Sequence, residues 1–128
     1  MRKRWEARPR WRITGAGQIA LGPGKVDLLE AIDRTGSISG AAREVGMSYR
    51  RAWLLVETMN RCFVRPLVVT ARWRGGGASL SDPGREALRL YRDIEARSLR
   101  AARGPVRNLR ALLRTEPSSR LAKVRSRR

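Results

Sequence analysis

The sequence predicts a mainly α-helical domain with one small β-hairpin wing, on three observations. Between Ser37 and Trp53, in the stretch SISGAAREVGMSYRRAW, two helical apolar patterns meet at Gly46, with small residues where the helices would cross. Leu67-Val68-Val69-Thr70 and Ala78-Ser79-Leu80 are short β-rich runs on either side of a turn that contains Gly75-Gly76-Gly77. From Pro83 to about Ala102 an amphipathic period then continues through Leu88, Tyr91, Ile94, Glu95 and Leu99. Two short helices across a tight turn, a hairpin and a long helix, in that order, describe a winged helix-turn-helix with a long C-terminal dimerisation helix.

Each element follows from local chemistry. Residues 1–9 are charged, contain Pro9 and show no period, which predicts a flexible basic arm. The run RWRITGAGQIAL, from Arg10, alternates at Trp11 and Ile13 and again at Ile19 and Leu21, as one bent strand or two short ones would. Gly15-Ala16-Gly17-Gln18-Ile19-Ala20 also matches the dinucleotide fingerprint GxGxxA, whose turn delivers pyrophosphate to a helix N-terminus. Gly22-Pro23-Gly24 would break such a helix at once, and no second strand ending in an acid follows about 20 residues on, so a glycine-containing hairpin is expected instead.

Val26, Leu28, Leu29 and Ile32 share one face of a helix over 25–34, which Thr35-Gly36 stops. Ser37 can cap a second helix, because its hydroxyl accepts from an orphan amide two or three residues on, and Gly46 ends it near Val45. Ser48 caps a third helix with Ala52, Leu55, Val56 and Met59 inward, running to about Cys62 ahead of Pro66. Ser81-Asp82-Pro83 begin the long helix over 83–102, with proline in its first turn. Gly104-Pro105 is expected to close that helix. Val106, Leu109, Leu112 and Leu113 allow one further weak helix, and 103–128 is otherwise read as a basic, mostly disordered tail beyond a 10–102 domain.

Length and charge narrow the function. A chain of 128 residues suits one domain plus tails. A net charge of +18 predicts an anionic partner. The excess is concentrated at the ends: 1–12 carry six Arg or Lys against Glu6, and 103–128 carry nine against Glu116. Histidine is absent, which excludes a Ser/His/Asp triad, a Cys/His pair and a His-ligated metal. Cys62 is the single cysteine, read as a packing residue, so neither an internal disulfide nor a multi-cysteine zinc site is available. The expectation is no enzyme, no metal and no cofactor. No secretory or membrane-spanning apolar run is present, so a cytoplasmic protein without a membrane partner is expected.

The third helix supplies the reading face. On a wheel centred on its inward residues, Arg50, Leu54, Glu57 and Arg61 point away, with Arg51 on one flank and Trp53 on the other, bordering the core. Ser48, Tyr49 and Arg50 occupy the first turn, where major-groove readers place base-contacting side chains. Arg50 or Arg51 can bond bidentately to guanine, and Leu54 can meet a thymine methyl. Arg72 and Arg74 at the base of the glycine turn can hold phosphate or enter the minor groove. The candidate DNA-binding set is Ser37, Ser48, Tyr49, Arg50, Arg51, Leu54, Arg72 and Arg74. The arginine-rich ends add affinity without sequence information.

Gly36-Ser37-Ile38-Ser39-Gly40-Ala41-Ala42, Met47-Ser48-Tyr49-Arg50-Arg51-Ala52-Trp53, Met59-Asn60 and Pro66-Leu67-Val68 carry a resemblance, with Gly75-Gly76-Gly77-Ala78, Leu80-Ser81, Gly84 and Tyr91. From about Leu21 to Tyr91 the chain resembles the N-terminal domain of ModE-type molybdate-responsive transcriptional regulators and, more distantly, the LysR-type DNA-binding domain. The resemblance implies a third helix that reads double-stranded DNA and a homodimer held largely by the long helix. Molybdate-sensing members carry a downstream oxyanion-binding domain of small β-barrels. Here about two dozen mostly basic residues follow Gly104, so molybdate binding is not carried over. The expected function is a DNA-binding transcriptional regulator; a nonspecific, nucleoid-type architectural protein and a winged-helix protein-interaction module are the alternatives.

Overall fold

The computed structural model describes residues 5–71 and 77–115. The chain is mainly helical with two small antiparallel sheets, in the order β1 (Ile13–Gly15), β2 (Gln18–Leu21), α1 (Pro23–Thr35), α2 (Ile38–Val45), α3 (Tyr49–Cys62), β3 (Val68–Thr70), β4 (Ala78–Leu80), α4 (Asp82–Ala101) and α5 (Arg103–Arg110). It divides into two units, one spanning 10–95 and the other formed by the described residues of 1–9 and 96–128.

Within 10–95, β1 and β2 form the expected glycine hairpin. Ala16 and Gly17 both take positive φ, 50° and 75°, which is the two-residue turn whose twist suits paired strands. No helix follows Gly17, so the dinucleotide motif is absent as a structure. The pairing shifts between Ile13↔Leu21 and Thr14↔Ile19, a bulge on the second strand. Lys25 donates to the Ile19 carbonyl, and burial pulls its ammonium below the usual lysine range.

Helix α1 starts two residues earlier than the apolar pattern indicates, because Pro23 fits the first helical position and Gly22 precedes it in extended form. Gly36 ends it at φ 74°, donating its N–H to the Ile32 carbonyl at 2.8 Å. Val26, Leu28, Leu29, Ala31 and Ile32 are fully buried and form the floor of a core completed by Ala41, Ala42, Ala52, Val56, Met59, Leu67 and Leu80.

The β3–β4 pair is in register Val68↔Leu80, Val69↔Ser79 and Thr70↔Ala78. It is anchored on the α1–α2 turn: the Ala78 N–H donates to the Gly36 carbonyl at 2.9 Å. A Cβ at Gly77 would lie 2.6 Å from that same oxygen, so only glycine permits the approach. Arg72 and Arg74, expected in the wing, lie outside the described residues.

Ser81 caps α4 by accepting from the Gly84 N–H at 3.1 Å, with Asp82 and Pro83 in the first turn as expected. Tyr91 is buried and donates to the Trp11 carbonyl at 2.7 Å, joining α4 to the segment before β1. Arg92 joins α4 to α1, reaching Glu30 at 2.8 Å and Asp27 at 3.2 Å while also bonding Glu95 at 2.8 Å. Hydrogen bonding to Glu30 raises its guanidinium pKa, and the reciprocal bond holds the Glu30 carboxyl below its usual range.

Helix α4 ends at Ala101, close to the expected end near 102, and the further helix that Val106 and Leu109 allow follows as α5, with Gly104 and Pro105 in its first turn, where proline needs no amide partner. Trp5 donates its indole N–H to the Arg114 carbonyl at 2.7 Å, and Arg110 donates to the Trp5 carbonyl at 2.9 Å. The remainder of the expected tail, from residue 116, lies outside the described residues. No helix among the described residues is long and apolar enough to cross a membrane.

Candidate nucleic-acid interface

Two serines and one glycine set the geometry of the α2–α3 pair. The Ser37 hydroxyl accepts from the Gly40 N–H at 2.9 Å, and a Cβ at residue 40 would lie only 2.8 Å from that oxygen. Glycine there makes room for the cap. Gly46 adopts φ 75°, and the Met47 N–H closes back onto the Ala42 carbonyl at 2.9 Å, which reverses the chain within two residues. Ser48 then caps α3 by accepting from the Arg51 N–H at 3.1 Å. Ala41, Ala42 and Ala52, each at most 2% exposed, keep the crossing thin.

Burial of Ala52, Val56 and Met59 fixes the rotation of α3, with Leu55 packed at the core margin. The opposite side is therefore open. Tyr49 is 55% and Leu54 52% exposed, and Arg50 and Arg51 are exposed beside them. Neither arginine side chain makes an ion pair or hydrogen bond among the described residues. Several other arginines on helices do face acids: Arg34 with Glu44 at 3.0 Å, Arg89 with Glu86 at 2.5 Å, and Arg92 with Asp27, Glu30 and Glu95. The first turn of α3 thus presents two uncompensated guanidinium groups.

Tyr49, Arg50, Arg51 and Leu54 are all exposed in the first two turns of α3, whereas the hydroxyls of Ser37 and Ser48 are engaged as caps. Trp53, expected on the flank bordering the core, is 44% exposed. It lines a cleft with Tyr49, Ser39, Thr70 and Gly77.

Asn60 organises the far end of α3, with a role the apolar pattern does not reveal. Its amide donates to the Val68 carbonyl at 3.0 Å, while its carbonyl accepts from the N–H groups of Leu67 at 2.9 Å and Val68 at 3.1 Å. One side chain so satisfies three backbone groups of the buried strand entry and fixes the hairpin to α3. Cys62, half-buried, donates its thiol to Gln18 at 3.3 Å, which accords with a packing role.

Against this geometry, relatives carry weight. The chain is 49% identical over 78 residues to the molybdenum-pterin-binding protein MopB of Rhodobacter capsulatus and 45% identical over 78 residues to the molybdenum transport protein ModE of Azotobacter vinelandii. It is a relative of the ModE-type proteins. The similarity extends to the DNA-binding transcriptional dual regulator ModE of Escherichia coli, at 38% identity over 71 residues. These ModE-type matches cover 54–59% of this chain but only 27–29% of the relatives' own length. No family model matches the chain.

Proposed function

We propose that this chain is a DNA-binding transcriptional regulator of the ModE type, related in plan to LysR-type readers. The hairpin after α3 acts as the wing of a winged helix-turn-helix, and α3 enters the major groove. The single observation that carries this reading is the pair Arg50 and Arg51, exposed and uncompensated in the first turn of a helix whose rotation is fixed by Ala52, Val56 and Met59. Arginine offers a planar fork that matches guanine O6 and N7, and Leu54 one turn on supplies an apolar contact for a thymine methyl. Arg72 and Arg74 are assigned to phosphate or the neighbouring minor groove. The protein works as a cytoplasmic homodimer through α4, placing two reading helices about one DNA turn apart on a near-palindromic site. Although several relatives are named for molybdenum, the proposed function rests on DNA alone.

The test is competition between DNA from the region upstream of the protein's own gene and random DNA. Arg50→Ala with Arg51→Ala should weaken the upstream complex by about 1–3 kcal/mol per lost base contact and leave random DNA nearly unaffected. An unchanged upstream complex rejects the role given to α3. A second reading, a nonspecific architectural protein, is favoured by the concentration of charge in 1–12 and 103–128; it prevails if random DNA competes as well as the upstream region does.

A further inference from the structure

Between the first turns of α2 and α3 and the hairpin lies the cleft lined by Ser39, Tyr49, Trp53, Thr70 and Gly77. Among the described residues neither an acid nor a cation lines it. It offers two exposed aromatic faces, Tyr49 and Trp53, set four residues apart on one side of α3. Ser39, Tyr49, Trp53 and Thr70 each bring a side-chain O–H or N–H that makes no hydrogen bond among the described residues.

We infer that this cleft is a clamp for one deoxyribose-phosphate strand, with Trp53 and Tyr49 packing on sugar carbons and Ser39, Thr70 and the Trp53 indole N–H donating to phosphate oxygens. The inference rests on the DNA reading above and adds a site to it. With Arg50 and Leu54 facing base edges and the hairpin beyond the groove's rim, the backbone that separates the two grooves has to pass over the flank of α3 that carries Tyr49 and Trp53. A sugar is apolar on its carbon edge and bonded to acceptors at both ends, which matches aromatic faces bordered by hydroxyls. Because the donors are neutral, the clamp positions the protein without displacing counterions and without reading sequence.

That combination gives a distinct signature. The full chain and its Trp53→Ala and Trp53→Phe variants are titrated, across a salt series, against a duplex from the upstream region and a scrambled duplex of the same composition. Trp53→Ala should weaken both duplexes by about tenfold, with the slope of log affinity against log salt unchanged, while Trp53→Phe stays within about threefold of the parent. Parent-like binding by Trp53→Ala overturns the clamp, and so does a loss confined to the upstream duplex, which would make Trp53 a base reader. If Trp53→Ala fails to fold by circular dichroism, Ser39→Ala with Thr70→Val decides: a uniform loss of about tenfold sustains the clamp, and none overturns it. A parent chain that binds neither duplex rejects the DNA reading and the clamp together.

Discussion

Gly84 lies in the first turn of α4, where helix propensity alone favours alanine by up to about 1 kcal/mol. The tertiary structure reverses that sign. A Cβ at Gly84 would lie 2.1 Å from the Leu67 carbonyl oxygen and 3.0 Å from its carbon, both backbone atoms of the buried entry to β3. Ordinary contact begins near 3.4 Å, so α4 or the Leu67 peptide must withdraw by about 1.3 Å. The withdrawal loosens the Ser81 N–H bond to the Leu67 carbonyl at 2.9 Å and the Ser81 hydroxyl contact with it at 3.2 Å. Each such bond contributes about 1 kcal/mol. Overpacking costs about 1–3 kcal/mol more, and the propensity gain offsets about 1, so Gly84→Ala should destabilise the protein by about 2–4 kcal/mol net. Gly24, in the first turn of α1, is the control: nothing lies within 4 Å of its Cβ position, and Gly24→Ala should be neutral or stabilise by up to about 1 kcal/mol. Urea denaturation followed by far-ultraviolet circular dichroism measures both, as midpoint shifts at a common slope. Equal or greater stability of Gly84→Ala would refute the close approach of α4 to Leu67.

Further outcomes follow from the same contacts. Asn60→Ala removes all partners of three backbone groups at the strand entry and should cost about 2–4 kcal/mol by thermal melting; a loss below about 0.5 would show that water replaces them. Ser48→Ala should cost about 1 kcal/mol through its cap and leave the ratio of upstream to random DNA affinity unchanged, whereas a collapsed ratio at normal stability would place Ser48 on the bases. The hydrogen bond from Arg92 holds the Glu30 carboxyl below the ordinary glutamate value of 4.5, so that contribution is complete above about pH 4.5 and is lost as pH falls through the lower folded value. Arg92→Gln should therefore reduce stability at neutral pH by at most about 1 kcal/mol, both side chains being 36% exposed and screened, and flatten the acid limb of the stability profile measured by urea titration.

The α2–turn–α3 pair was legible because its determinants are near neighbours in sequence: caps at Ser37 and Ser48, a positive-φ glycine at 46, and apolar residues at helical spacing. The β1–β2 hairpin was legible for the same reason, from its glycines. For Trp53 the helical wheel gives a position bordering the core but not which faces another element covers. At Gly104-Pro105 the local pattern marks the end of α4 but does not choose between a tail and a new helix, because proline ends one helix and starts another with equal ease. Asn60, Gly77 and Gly84 gave no sequence signal of their roles, since each role is an approach between segments distant in the chain.

By itself, then, the sequence determined where helices start and stop, which of their faces are apolar, and that an arginine pair follows a capped turn. These are consequences of backbone hydrogen bonding and side-chain period over a few residues. Only the tertiary structure decided that Arg50 and Arg51 stay uncompensated among the described residues while Arg34 of α1 and Arg89 and Arg92 of α4 find carboxylates, and that Trp53 faces an open cleft. Both depend on distances between elements, which are set by close packing at Gly77, Gly84 and the three alanines of the α2–α3 crossing.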